Sequence, residues 1–352
     1  MSAMEQILMT RLAEIQSADT DRMDAARRRL DSIAKPLHSL GQLEDVIVRL
    51  AGMGELRRNY RKCAVVMCAD NGVVAEGVTQ TGSEVTAVVA GNILRGAASV
   101  TCMAKIAGAD VIAVDMGMNT DVAGVINRKI AYGTKNFRHS PAMTREEAAR
   151  AVLAGIETAE MLANKDYTML AAGEMGIGNT TSASAVAAVL LRKPAAQMTG
   201  RGAGLSSEQM RRKIEVIEDA IRINKPNPDD PLDVLAKVGG FDIGGMCGLF
   251  LGGALCRIPV IADGLISTVA ALLAVHMAPA ARDYIIASHL SAEPAAPAVM
   301  EALELSPLLE IGMALGEGTG AVSVMPLIDM ALRVYFDMPT FGETGIEEYK
   351  PL

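Results

Sequence analysis

Apolar positions recur at helical spacing through the first 55 or so residues, in ILMTRLAEI, MDAARRRLDSIA and LEDVIVRLAGM. This pattern predicts helices punctuated by the Lys35-Pro36 step and Gly41. From Cys63 the pattern changes. Short apolar runs rich in β-branched residues follow at 63–69 (CAVVMCA), 111–116 (VIAVDM), 167–173 (YTMLAAG), 258–263 (IPVIAD) and 284–289 (YIIASH). Each leads into a turn rich in Gly, Asn or Ser and then a longer helical stretch. Strand, glycine turn and helix in alternation predict an α/β fold, a mostly parallel sheet covered on both faces. Ala-rich stretches such as TSASAVAAVLL and STVAALLAVHM supply the covering helices. The expected organisation is an α/β domain over 61–329, with 1–60 and 330–352 joining as a small helical domain. No internal repeat and no low-complexity linker interrupts it.

Length and composition narrow the class. A chain of 352 residues suggests about two folding units. With 50% hydrophobic and 21% charged residues it is not disordered as a whole. Aromatics are 3%, Trp is absent and Met reaches 22, so the core must be aliphatic and thioether. A net charge of −8 lacks the electrostatic footprint of a general nucleic-acid binder. Cys63, Cys68, Cys102, Cys247 and Cys256 are unclustered and read as small buried hydrophobes in a reducing compartment. The N-terminus lacks the apolar core of a signal peptide. The strongest membrane candidate, 242–281, is broken by Arg257 and Asp263. A soluble, cytoplasmic protein is expected.

In an open parallel sheet, ligands bind beyond the carboxyl ends of the strands. The turns there are Asp70-Asn71-Gly72, the stretch Gly173 to Thr181 (GEMGIGNTT), Asp263-Gly264, His289-Leu290-Ser291 and the stretch Leu315 to Ala321 (LGEGTGA), with GRGAG at 200–204 between them. Glycine turns let successive N–H groups converge on an anion, and a following helix adds its N-terminal dipole. Neither the P-loop nor the full dinucleotide fingerprint is present. Glu174 and Glu317 stand inside glycine-rich turns rather than on charged helix faces. Each can meet a ligand, or accept backbone N–H bonds and tie its loop. The four histidines are scattered, which disfavours a metal centre or a Ser–His pair. Asp242, just before IGGMCGLFLGGA, is expected to cap a helix.

Taken in order, KPLHSLGQLE, CADNGVVAEGV, GEMGIGNTTSASA, GRGAGL, FDIGGMCGLFLGGA, PVIADGLIS, SHLSAEPA and LGEGTGA resemble the nicotinate-nucleotide–dimethylbenzimidazole phosphoribosyltransferases of cobamide assembly. The resemblance spans about 35 to 330. It implies a Rossmann-like sheet domain, a small helical domain from both termini, and a dimer with active sites near the subunit interface. It also implies the reaction. Nicotinate mononucleotide gives its 5-phosphoribosyl group to an aromatic lower-ligand base, nicotinate leaves, and an α-riboside 5-phosphate forms. No metal and no cofactor is required. By the family pattern Glu317 is the base and Glu174 assists. The phosphate would lie against Gly176, Gly178 and Gly202 with Lys213 as its cation. Asn179, Thr180, Gly264, Ser291 and Gly316 would surround the nucleotide.

Two departures bear on the acceptor. Benzimidazole-activating relatives tend to carry a small hydroxyl residue where Gln80 stands and a glutamine where Val88 stands, positions that line the acceptor pocket in the family. Val88 makes that wall apolar, and Met175 adds an adaptable thioether. Dimethylbenzimidazole is the default acceptor, with phenol or p-cresol as competitors. Relatives that use phenolics include pairs of non-identical subunits, so a homodimer and a heterodimer with a related chain are both open. Where the family usually has Pro-Gly, this chain has Leu37-His38.

Overall fold

The computed structural model of the chain describes residues 2–347 and Tyr349. Six strands form one sheet: β1 Lys62–Ala69, β2 Ala109–Gly117, β3 Ile126–Asn127, β4 Met169–Met175, β5 Val260–Ala262 and β6 Ile285–Ala287. Their order is β3-β2-β1-β4-β5-β6, and every pairing is parallel. Every residue of β1 is buried, as a near-continuous apolar run covered on both faces must be. The five apolar runs read from the sequence correspond to β1, β2, β4, β5 and β6. The two-residue β3 is too short to carry a periodic signal.

The strand read at 167–173 instead starts at Met169 and continues through Met175, pairing Met67 with Glu174 and Cys68 with Met175 across β1 and β4. Glu174 therefore ends a strand rather than sitting in a turn. Ladder pairing with β1 outlasts the glycine at 173, and it gives the carboxylate a rigid base.

Helix Phe241–Cys256 crosses β1, β2 and β4, with helix Arg145–Ala163 packed on it. Their contact is nearly backbone to backbone. A Cβ added to Gly248 would come within 2.8 Å of the Gly155 Cα, so both positions must stay small. Helices Glu84–Leu94, Ser99–Ala107 and Thr319–Asp337 also pack on the sheet. At the chain ends, helix Thr20–Ser32 packs on Gln42–Met53, which packs on Thr319–Asp337, and Ile33 pairs antiparallel with Thr340. The tail of the expected helical domain at Glu348 and 350–352 lies outside the described residues.

Two helical stretches, Glu84–Ala107 and Thr319–Asp337, are long and apolar enough to cross a membrane by length and composition. In this fold 39% and 50% of their apolar windows are buried against the rest of the chain. The membrane candidate expected at 242–281 is instead two shorter apolar helices, Phe241–Cys256 and Leu265–Met277. Cysteine burial also departs from expectation. Cys63, Cys68 and Cys247 are buried, but Cys102 is exposed, because it falls on the outer side of the amphipathic helix Ser99–Ala107.

Candidate active site

The strand order reverses direction at the β1–β4 pair, since the chain runs outward from β1 to β3 and then returns to add β4 on the other side. A crevice opens at such a switch point, beyond the carboxyl ends of the strands. Here it is a cavity of about 250 Å³ lined by the turns after β4, β5 and β6, the glycine turn near 202 and the turn ending at Glu317. Glu174, Met175, Gly176, Gly178, Asn179 and Thr180 all line it. So do Gly202, Lys213, Gly264, Ser291, Gly316, Glu317 and Gln80. Val88 does not. It lies on helix Glu84–Leu94, 58% exposed.

One end of the cavity is lined by glycine turns and a buried lysine. Gly178 has φ +92° and caps helix Asn179–Leu190, where an added Cβ would be strained and would come within 2.8 Å of Val74 Cγ2. In the first turn of that helix the Asn179 N–H donates to the Gly176 carbonyl at 3.1 Å and the Thr181 N–H to the Gly178 carbonyl at 2.9 Å, and Thr180 lines the cavity. Lys213, fully buried on helix Ser207–Asn224, donates through Nζ to Thr180 Oγ1 at 2.9 Å and to the Gly200 carbonyl at 3.2 Å. Burial pulls its pKa down to about 8, and the Glu293 carboxylate opposes that shift. The Gly202 N–H donates to Glu293 Oε1 at 3.1 Å.

The other end holds carboxylates. Asn179 uses its side-chain nitrogen to donate to Glu174 Oε2 and, at 2.8 Å, to Asp242 Oδ2. Burial pushes the Glu174 carboxyl up to about 8, against the Asn179 hydrogen bond, with the charges of Asp242 and Asp263 adding to the rise. Asp242, also fully buried, is pushed up to about 6 by burial. Asp242 is not the expected cap. Gly240 holds that position, and Asp242 sits inside the first turn. It accepts the Ile243 N–H at 3.0 Å with one oxygen and turns the other to Asn179. Asp263, raised by burial, takes the capping role elsewhere: it accepts Gly318 N–H at 3.2 Å and Ala321 N–H at 3.0 Å, at the start of helix Thr319–Asp337.

These bonds place Glu317. Its φ is +60°, between Gly316 at +91° and Gly318 at +89°, a run of left-handed residues that strains only the glutamate. Its carbonyl packs on Gly173, where a Cβ would come within 2.5 Å of it. Its Oε2 accepts the Val100 N–H at 3.1 Å, in the first turn of helix Ser99–Ala107. Among the described residues Oε1 takes no protein hydrogen bond.

Some lining residues were given no site role in the sequence. His289 is 2% exposed, lines the cavity and sits 3.0 Å from Ser288 Oγ through Nδ1, so a Ser–His contact does exist. Ser288 itself does not line the cavity. Arg201 and Glu293 also line it, each inside a segment quoted above (GRGAGL and SHLSAEPA) but with no local feature to single it out. No group of three or more His, Cys, Asp or Glu side chains among the described residues is placed to hold a metal ion.

The parallel sheet carries at its switch point a cavity lined by glycine turns, a buried lysine and a carboxylate cluster, and a family model described as phosphoribosyltransferase matches residues 15–346. The protein is an enzyme of that class. Proteins named nicotinate-nucleotide–dimethylbenzimidazole phosphoribosyltransferase are similar along nearly the whole chain. The one from Ruminiclostridium cellulolyticum is 49% identical, covering 96% of this chain and 97% of the relative. The one from Acetivibrio thermocellus is 47% identical over 98% and 99%. The crystal structure of the Thermus thermophilus protein of that name superimposes with a TM-score of 0.88 at 42% identity, covering 94% of this chain and 100% of that one. The chain belongs to the nicotinate-nucleotide–dimethylbenzimidazole phosphoribosyltransferase family.

Proposed function

We propose that the protein transfers the 5-phosphoribosyl group of nicotinate mononucleotide to an aromatic lower-ligand base, dimethylbenzimidazole by default, to give an α-riboside 5-phosphate. The observation that carries this reading is the two-ended cavity. Lys213, Gly202 and the start of helix Asn179–Leu190 form one end, and Glu317 and Glu174 form the other.

The nicotinate of the mononucleotide leaves from a cationic pyridinium, so expulsion needs no strong general acid. The enzyme has to hold the phosphate, present one face of the anomeric carbon and take a proton from the acceptor. Lys213 and the glycine N–H groups do the first. Gly264, Ser291 and Gly316 border the ribose. Glu317 accepts the acceptor proton through the oxygen that makes no protein hydrogen bond. Glu174, with its pKa near 8, stays protonated at neutral pH and serves as a neutral neighbour that orients the ribose and acceptor. No metal or cofactor enters these steps.

Met175, Val78 and Leu315 supply apolar walls for a flat ring, and the Gln80 amide is occupied by the Gly204 carbonyl. These features also suit phenol or p-cresol, which would give an O-riboside. Leu315, an exposed apolar side chain on the cavity lining, supports a subunit interface at this face. That interface would belong to a homodimer or to a heterodimer with a related, partner-dependent chain. On the same reading 61–329 is the catalytic α/β domain, 1–60 with 330–352 the helical one, and the enzyme is cytoplasmic.

The test is incubation of purified protein with nicotinate mononucleotide and a panel of benzimidazoles and phenols. Nicotinate release and mass analysis of N- against O-linked ribosides identify the acceptor. Folded protein that releases no nicotinate with any acceptor, alone or with a co-purifying chain, contradicts the reading.

A further inference from the structure

The turn after β1 ends in a carboxylate that the transfer steps leave unused. Glu76 closes the short helical turn Gly72–Glu76, buried and outside the cavity lining. Four side chains converge on it. Asn136 Nδ2 donates to its Oε1 at 2.7 Å, and His139 Nε2 lies 3.1 Å from the same oxygen. To Oε2, Arg138 donates through Nη1 at 2.6 Å and Arg212 through Nη2 at 3.2 Å. Arg212 Nε also donates to the Glu76 carbonyl. Burial works against the charge, yet the Arg138 and Asn136 hydrogen bonds hold the carboxyl below its ordinary pKa.

Arg212 lies on helix Ser207–Asn224, directly before Lys213. Arg138 reaches the same helix a second time, donating through Nη2 to Asp219 Oδ2 at 2.9 Å. Arg212 and Asp219 stand about two turns apart on one face of that helix. At its end Asn224 Nδ2 donates to the Phe137 carbonyl at 2.6 Å. The helix is thus tied along its length to the loop 136–139 and, through Glu76, to the turn after β1.

Lys213 needs that hold. Among the described residues its Nζ bonds only neutral oxygens, Thr180 Oγ1 and the Gly200 carbonyl. An ammonium without a carboxylate bonded to it is free to meet an anion, but no ion pair fixes where it stands. Misplacement by about 1 Å is enough to weaken a productive contact severely. We infer that Glu76 is a positioning residue: by holding Arg212 directly and Asp219 through Arg138, it fixes helix Ser207–Asn224 and so the place of the Lys213 ammonium in the cavity. This role rests on the reading of Lys213 as the phosphate's cation.

The experiment measures KM and kcat with nicotinate mononucleotide and the best acceptor, with melting temperatures alongside. Wild type is compared with Glu76→Gln, Lys213→Met, the double variant carrying both, and Arg212→Met. In Glu76→Gln, KM for nicotinate mononucleotide rises about threefold or more, because the ammonium is displaced rather than removed. The acceptor KM and kcat stay near wild type. A residue serving stability alone lowers the melting temperature and the active fraction, hence kcat, and leaves KM unmoved. Adding Glu76→Gln to Lys213→Met raises KM no further, since the group being positioned is gone. Arg212 is half-exposed, so Arg212→Met decides the matter if Glu76→Gln fails to fold, and it raises the same KM.

An unaltered KM in the folded variant overturns the inference, and so does a double variant in which the two KM effects multiply. Either result leaves the transferase reading intact if Lys213→Met still raises KM. A Lys213→Met enzyme with wild-type KM removes the phosphate contact and the role of Glu76 together.

Discussion

Glu317 Oε2 accepts the backbone N–H of Val100 at 3.1 Å, joining two residues 217 positions apart. One carboxylate thus ties down the first turn of helix Ser99–Ala107 and faces the cavity as well. The two roles separate by substitution. Glu317→Ala removes both, and the lost cap lowers stability by about 1 kcal/mol. Chemical denaturation should register that loss with an unchanged slope, whatever happens to turnover.

Stability should fall as pH rises in the ligand-free enzyme. Glu174 has its pKa raised from 4.5 to about 8, and Asp242 from 3.8 to about 6, both by burial. The native state therefore holds protons that the unfolded chain releases. Their contribution is fully present below the ordinary carboxyl values and is lost as pH climbs through about 6 and then about 8. Glu174→Gln should flatten the curve most between about pH 6 and 8, where Asp242 has already lost its proton, and only reduce the slope below that, where Asp242 still contributes. Melting temperatures across the range decide it: a slope identical to wild type between pH 6 and 8 contradicts the assignment.

Lys213 titrates with the opposite sign. Its pKa is lowered from 10.5 to about 8, so the native state holds fewer protons than the unfolded chain between those values. Its stability deficit is therefore recovered as pH rises through that window. Binding runs the other way, because the cation proposed to meet the phosphate is lost above about pH 8. KM for nicotinate mononucleotide should rise there. Lys213→Met should raise KM about tenfold or more while kcat changes far less, the pattern of a lost charge-assisted hydrogen bond in binding. A Lys213→Met enzyme with unaltered KM places the phosphate elsewhere.

Gly176 leaves no room for a side chain. A Cβ there would stand 2.5 Å from both the Ala69 carbonyl and Asp242 Oδ2. Gly176→Ala must push β1 and helix Phe241–Cys256 away from the turn that carries Asn179. Activity should drop at least about tenfold with a measurable fall in melting temperature. Gly312→Ala, on a surface turn with open space, serves as the control: its strain is local, and kcat should stay near wild type.

The sheet was legible because parallel strands buried on both faces are written as unbroken apolar runs, and CAVVMCA and YTMLAAG could be little else. β3 was not, since two residues carry no period. The glycines at 176, 178 and 316 marked the turns, and Glu317 stood out through the glycines on either side. Asp242 misled, because an acid near a helix start looks like a cap, whereas the chain uses Gly240 there and turns the acid toward Asn179 from another strand's loop. Glu293 and His289 meet neighbours remote in sequence, Gly202 and the turn that starts helix Thr319–Asp337, and no local spacing reveals such pairings. His38 holds φ +57°, so this turn takes a left-handed backbone at a residue other than glycine.

The central claim is that Glu317 takes the acceptor's proton, and Glu317→Gln tests it most directly. The glutamine carbonyl can still accept the Val100 N–H, so the melting temperature should match wild type. With nicotinate mononucleotide and the best acceptor, turnover should fall about a hundredfold or more, the share usually carried by a positioned base. A Glu317→Gln enzyme that melts like wild type and releases nicotinate at the wild-type rate would contradict the account.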